Sequence, residues 1–265
     1  MVRILSLLAC CYCFSTAAVL FVVMTLLTPF AMLFDPQRKL FHFMTAAWGW
    51  HHVILNPFWE CRIEGAEFLE RDKNYVIVAN HQSLADIFVI SGLWRQYKWV
   101  SKESLLNIPF FGWNMRLNEY IAIKRGDIKS IKEMMATCKH WLQQGVSIMM
   151  FPEGTRSDSG ELGNFRDGSF RLSLECDVPV VPVVITGTKE VIAKHSRTFN
   201  FASKMRIKVL PPVLPETFKG RPAAMRDHVH QLMKSTLHDM RKENLPQAPE
   251  PVPLACHQSK EAANR

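Results

Sequence analysis

Two hydrophobic patterns divide this chain. Residues 4–34 contain no charged side chain. That run exceeds the ~20 apolar residues that a helix needs to cross a bilayer core. It also exceeds the ~7–15-residue core of a signal peptide. It predicts a retained membrane segment, with Pro29 kinking or ending the helix near Leu27. A second segment, 40–59, interleaves Phe41, Phe43, Trp48, Trp50, Phe58 and Trp59 with His42, His51 and His52. Amphipathic aromatics favour the headgroup layer, so this segment reads as a second membrane-associated helix. A core helix of the following domain is the alternative, and two linked helices dipping into one leaflet also fit.

From about Cys61 short apolar runs alternate with amphipathic ones. Strands are predicted at 75–79, 99–101, 120–123, 146–151, 178–185 and 205–210. Pro179 and Pro182 are expected to push 178–185 toward a sheet edge or an irregular strand. A helix is predicted over 83–93. The clearest helix has Asp127 as N-cap, then Ile128, Ile131, Met134, Met135, Cys138, Trp141 and Leu142 at helical spacing, with Gly145 as its stop. Met225, Val229, Leu232, Met233, Leu237 and Met240 mark a last amphipathic helix. Strands separated by helices predict an α/β fold, a mostly parallel or mixed central sheet flanked by helices. After Arg241 the chain turns polar, and Pro246, Pro249, Pro251 and Pro253 predict a disordered tail. The chain thus divides into N-terminal membrane-associated helices (1–59), an α/β domain (60–243) and the tail (244–265).

Charge narrows the partner. The 32 Lys and Arg against 24 Asp and Glu leave a net charge of +8. An anionic partner follows: nucleic acid, a phosphorylated small molecule or a lipid surface. The apolar N-terminus and the lack of any nucleic-acid motif disfavour nucleic acid. The seven cysteines stand at 10, 11, 13, 61, 138, 176 and 256. An odd number so scattered indicates neither a zinc site nor a disulfide framework, and suits a reduced compartment. No metal is expected.

Two segments carry candidate chemistry. Asn80-His81-Gln82-Ser83-Leu84-Ala85-Asp86 lies where a strand gives way to a helix. Five residues on a regular helix turn about 500°, so His81 and Asp86 can touch only across the helix start. His81 must then lie in the preceding turn and Asp86 in the first helical turn. Ser83 to Asp86 also fits a capping box, and the two readings are compatible. The second segment is Phe151-Pro152-Glu153-Gly154-Thr155-Arg156-Ser157, just beyond a predicted strand. Loops at strand carboxyl ends carry the chemistry of α/β sheets. A plain Pro-x-Gly turn, with Arg156 paired to Glu153, is the competing reading.

These two segments resemble the first and third signature blocks of the glycerolipid acyltransferases, and most nearly those of the 1-acylglycerol-3-phosphate (lysophosphatidic acid) acyltransferases. Val180-Val181-Pro182-Val183-Val184 resembles the fourth block. Phe165-Arg166-Asp167-Gly168 resembles a Phe-Lys-x-Gly segment, with Arg for Lys. The second block, Glu119 to Arg125, keeps the arginine and both isoleucines but lacks the usual glycine and phenylalanine. The departure bears on the acceptor more than on the family.

The resemblance implies transfer of an acyl group from acyl-CoA or acyl carrier protein to the sn-2 hydroxyl of lysophosphatidic acid, giving phosphatidic acid. A different lysophospholipid acceptor, or a non-catalytic lipid-binding protein on the same fold, is the alternative. His81 would be the general base and Asp86 its orienting acid. Arg156 and Arg125 would grip the acceptor phosphate, with Lys124 and Lys102 as further candidates. Glu153 would orient Arg156 or the glycerol hydroxyl, and Gly154 and Thr155 complete the binding loop. Backbone N–H groups near Gly154 or at the start of the Ser83 helix would hold the oxyanion. Leu105, Leu106, Ile108, Phe110, Phe111 and Trp113 would line an acyl slot or belong to the core. No cofactor beyond the acyl thioester co-substrate is expected. The partners are lipid substrates and the membrane, with the catalytic domain facing the cytoplasm.

Overall fold

The computed structural model describes residues 2–192, 196 and 198–243. The tail expected at 244–265 lies outside the described residues. Seven strands form one sheet: β1 (Trp59–Glu64), β2 (Val76–Ala79), β3 (Tyr97–Lys102), β4 (Ile121–Ile123), β5 (Ser147–Met150), β6 (Val180–Thr186) and β7 (Ser203–Val209). Their order is β1-β7-β6-β2-β5-β3-β4. The run from β6 to β4 is parallel, whereas β7 lies antiparallel to β6 and carries β1 beside it. The sheet is therefore mixed, as the strand–helix alternation predicts.

Helices cover both faces, which is why the inner strands read as unbroken apolar runs. Val76, Val78, Ile148, Val180 and Val184 face α5 (Ile128–Gln143), α6 (Gly168–Cys176) and α8 (Pro222–Glu243). Ile77, Ala79, Met149, Val181 and Ile185 face the other way, toward α2 (Lys39–Ile54) and α3 (Ala85–Ser91). The amphipathic stripe of α5 supplies Met134, Cys138, Trp141 and Leu142 to the first layer. The Asp127 carboxylate caps this helix by accepting the Ser130 N–H at 3.0 Å.

The apolar N-terminal run forms α1 (Val2–Phe34), long and apolar enough to cross a membrane. Of the two outcomes expected at Pro29, the helix does not end near Leu27 but runs on to Phe34. The last turns are held by packing: Ala31 and Met24 are buried against Phe41 of α2. α2 also serves the core. A Cβ on Gly49 would lie 2.4 Å from Ser91 Oγ, so α2 and α3 touch backbone to side chain. Buried His42 joins Tyr120 Oη at 3.0 Å and the Arg95 carbonyl at 2.7 Å. Burial pushes its imidazole down to about 4. Phe110, Phe111 and Trp113, at and around α4 (Phe111–Leu117), meet Phe21 and Phe14 of α1 edge-on or tilted, and Leu106 is buried. That aromatic group joins α1 to the domain.

The prolines do not drive β6 to an edge. It lies inside the sheet, between β7 and β2. Pro182 accepts the Leu210 N–H at 2.9 Å, and Val180 exchanges bonds with Val213. Pro211 and Pro212 lie between those partners. The missing N–H of Pro182 thus falls just past Val183 and Val209, the last pair of the β6–β7 ladder.

Candidate active site

The chain leaves β2 and β5, which are neighbours, toward opposite faces of the sheet. α3 follows β2 onto one face and α6 follows β5 onto the other. Such a divergence opens a crevice at the strand carboxyl ends. Both sequence motifs empty into it.

His81 lies in the turn after β2 and Asp86 in the first turn of α3. His81 Nδ1 bonds Asp86 Oδ2 at 2.7 Å. The same oxygen accepts the N–H groups of Gln82 at 2.8 Å and Ser83 at 3.0 Å. Ser83 Oγ accepts the Ala85 N–H at 3.1 Å. The capping interaction and the histidine–aspartate pair therefore coexist. α3 is shorter than the expected 83–93, because these side-chain bonds replace its first backbone turn. Asp86 is fully buried, and the His81 side chain is 12% exposed. With Nδ1 committed, Nε2 is the ring atom left for a ligand.

The β5 loop completes the clasp on His81. Glu153 Oε1 accepts the His81 N–H at 2.8 Å, and Oε2 accepts the Gly163 N–H at 2.9 Å. The His81 carbonyl accepts the Ser157 N–H at 2.8 Å. The ring of His81 stacks on Phe151, centroids 3.9 Å apart and nearly parallel. Asn80 extends the sheet toward β6 by exchanging two bonds with Ile185, at 2.9 and 2.7 Å. Burial holds the Glu153 carboxyl above its ordinary range, against the pull of its two amide donors, and nearby Asp86 adds to the rise.

Glu153 is thus not paired with Arg156 among the described residues, although its sequence position suggested it. Both of its oxygens serve the backbone, and it positions His81 and the 163 turn. Gly154 has φ of 72°, a conformation that a side chain would strain. Thr155 is exposed and Arg156 half-buried, with no ion pair on Arg156 among the described residues. The expected amide donors also shift. Those of Gln82, Ser83 and Ala85 are consumed within the turn, and that of Gly154 bonds Phe151. The N–H groups of Thr155 and Arg156 have no acceptor among the described residues.

The expected cations follow the same sheet edge outward. Lys102 ends β3 and lies in register with Ile123 of β4, directly before Lys124 and Arg125. Lys124 faces Asp127 at 3.8 Å and is largely solvated. Arg125 is lowered in pKa by partial burial and by the neighbouring Arg166 guanidinium. Arg166, Phe151 and Asn80 lie in the motifs quoted from the sequence, but the sequence reading gave them no role in the site. Alternation along 146–151 could have aimed Phe151 at one face, but the partners of Arg166 and Asn80 are set by the tertiary fold.

This edge offers a histidine held by a buried acid, with two loop amides that have no acceptor among the described residues. Residues 60–186 match the acyltransferase family model, and that segment belongs to the acyltransferase family. The chain is 35% identical over 199 residues to the chloroplastic 1-acyl-sn-glycerol-3-phosphate acyltransferase of Arabidopsis thaliana, covering 75% of this chain and 56% of that protein. It is 31% identical over 182 residues to the alpha 1-acyl-sn-glycerol-3-phosphate acyltransferase of Mus musculus, covering 67% of this chain and 61% of that one. The chain therefore spans a little over half the length of these curated relatives. The crystal structure of the 1-acyl-sn-glycerophosphate acyltransferase PlsC from Thermotoga maritima superposes with a TM-score of 0.74 at 28% identity, covering 91% of this chain and 98% of that one.

Proposed function

We propose that this protein transfers an acyl group from a thioester, acyl-CoA or acyl carrier protein, to the sn-2 hydroxyl of lysophosphatidic acid, forming phosphatidic acid. One observation carries the reading: the 2.7 Å bond between His81 Nδ1 and buried Asp86, which leaves Nε2 as the base at the mouth of the crevice. The names of the relatives support the choice of acceptor.

The chemistry follows from these groups. An alcohol needs its proton removed as it attacks. His81 Nε2 takes that proton while the hydroxyl oxygen bonds to the thioester carbonyl carbon. Asp86 fixes the tautomer and stabilises the imidazolium, as the acid of a Ser-His-Asp triad does. The Phe151 face against the ring adds attraction for that cation. The N–H groups of Thr155 and Arg156 are the donors placed to receive the oxyanion. Collapse of the intermediate breaks the C–S bond, and the thiolate leaves with the proton from His81. The acceptor hydroxyl attacks directly, so no acyl-enzyme forms. Arg156 and Arg125 serve the phosphate, with Lys102 and Lys124 raising the local positive potential.

α1 carries the protein to the lipid surface, where its exposed apolar side chains enter the bilayer and the basic domain faces the cytoplasm. No cofactor takes part beyond the acyl donor. The test is an acceptor and donor panel run with wild type and His81→Ala. Loss of a positioned base lowers kcat by about 10²–10⁴-fold. A wild type that acylates other lysophospholipids but never lysophosphatidic acid would overturn the acceptor. An unchanged His81→Ala rate would overturn the base.

A further inference from the structure

Helix α8 has two working sides. Met225, Val229, Met233, Leu237 and Met240 turn into the core. A polar stripe carries Arg226, His230 and Arg241. Spacings of four and eleven residues turn a helix by about 400° and 1,100°, so these three share one side. All three reach the return path of the β5 loop. Arg226 pairs with Asp167 at 2.7 Å, and Arg241 holds Glu161 and the Gly160 carbonyl. His230 Nε2 meets the Gly163 carbonyl at 3.1 Å. A carbonyl only accepts, so Nε2 carries the proton of that bond. The buried Phe165 ring stands edge-to-face against the imidazole, centroids 4.8 Å apart, and fixes its plane.

The position of Gly163 bears directly on His81. Glu153 Oε2 accepts the Gly163 N–H at 2.9 Å, and Oε1 accepts the His81 N–H at 2.8 Å. A Cβ on Gly163 would lie 2.8 Å from Oε2, so a side chain there would push the carboxylate off this amide. An untied glycine is also the residue that wanders most. Two ties hold this one: Glu153 on its N–H and His230 on its carbonyl. A continuous run of bonds therefore leads from α8 to the backbone of His81. His230 lies beyond the 60–186 segment that matches the family model.

We propose that His230 is a positioning residue for the base: through Gly163 it holds the Glu153 carboxylate, and with it His81, in the geometry for transfer. This rests on the acyl-transfer reading above. His230 touches no substrate and moves no proton in the reaction. Its loss lowers kcat and leaves both KM values in place, because the groups that bind substrate are untouched.

Steady-state kinetics on the full chain, with lysophosphatidic acid and acyl-CoA, test it. The proteins are wild type, His230→Leu and His230→Gln, each alone and combined with Glu153→Gln. His230→Leu keeps the bulk against Phe165 without a donor; it should lower kcat about tenfold or more, with KM values within about twofold. His230→Gln offers an amide N–H at the same reach and should recover most of the rate. In the Glu153→Gln background the Leu change should cost little more, since the path it acts through is already broken. Hydrogen exchange across 80–83 and 160–166 gives a readout that needs no turnover. His230→Leu should speed exchange in both segments, whereas a local role would speed it only in the second. Equal kcat in wild type and His230→Leu, equal losses in Leu and Gln, or full additivity with Glu153→Gln overturns the proposal. If His230→Leu does not fold, His230→Asn, whose amide stops short of the carbonyl, is read against His230→Gln with the same outcomes. A wild type that transfers no acyl group while exchange in the two segments stays coupled overturns the acyl-transfer reading and leaves the brace standing.

Discussion

Glu153 shows how a residue's chemistry can be misjudged from its neighbours. In sequence it stands three positions from Arg156 and reads as that arginine's partner or a substrate ligand. In the fold its carboxylate bridges two backbone amides, at His81 and Gly163, from 72 and 10 residues away. A Gln at this position keeps the shape but turns an NH₂ toward one of those amides. Leaving a buried donor unsatisfied costs about 1–3 kcal/mol. Glu153→Gln should therefore lower kcat about tenfold to a hundredfold while leaving both KM values in place, which steady-state kinetics would show. Stability also gains a pH dependence. The folded state keeps a proton on Glu153 to higher pH than the unfolded chain does. Its contribution is thus fullest at low pH and declines as pH rises from the ordinary carboxylate range through the folded value. Denaturation of wild type against Glu153→Gln should show the difference moving in favour of the variant as pH rises. A pH-independent difference would contradict this.

At the level of elements, local pattern and tertiary demand can be separated. The α5 stripe and its Asp127 cap were legible because both act within a few residues. The inner strands were legible because full burial leaves a run of Val, Ile and Met. The position of β6 was not, since Pro182 is tolerated because it lies just past the last pair of the β6–β7 ladder, which only the tertiary register sets. The length of α1 past Pro29 depends likewise on Ala31 packing against Phe41. The His81–Asp86 pair was legible from spacing alone; the clasp from Glu153, Ser157 and Phe151 was not, because those contacts join separate strands. Gly49 is a place where helix contact depends on one missing side chain. Gly49→Val would drive a side chain into Ser91 and separate α2 from α3. Overpacking of this kind costs about 1–3 kcal/mol, read as a lowered denaturation midpoint.

Across the whole molecule, α1 is tied to the domain along its length. Phe199 N–H bonds Ser6 Oγ at 2.9 Å, Asn114 Nδ2 bonds the Ala17 carbonyl at 3.0 Å, and the elbow after α1 is held by buried Lys98. The ammonium of Lys98 donates to the carbonyls of Gln37 and Asn118, at 3.0 and 2.7 Å, over the face of Trp141. Burial pushes that lysine down to about 8. The far side of α1 stays bare, with Leu26 and Leu33 each 76% exposed and Phe34 71%. Replacing Leu26, Leu33 and Phe34 together with Ser should reduce partition onto phosphatidylcholine vesicles at least tenfold, since each buried apolar side chain contributes about 1.5–3 kcal/mol. The denaturation midpoint should hardly move. Vesicle flotation and thermal unfolding measured side by side would decide it, and equal flotation would sink the membrane role of this face.

His81 is fastened through its N–H, its carbonyl, its ring face and Nδ1, and three of these four ties come from the β5 loop. Those partners stand 70 to 76 residues further along the chain. A refolding chain regains helix long before it closes contacts of such long range. The clasp around His81 is therefore finished last, when two loops from different crossovers meet. During refolding, ellipticity should return ahead of turnover, and turnover becomes a clock for the closing of the sheet itself.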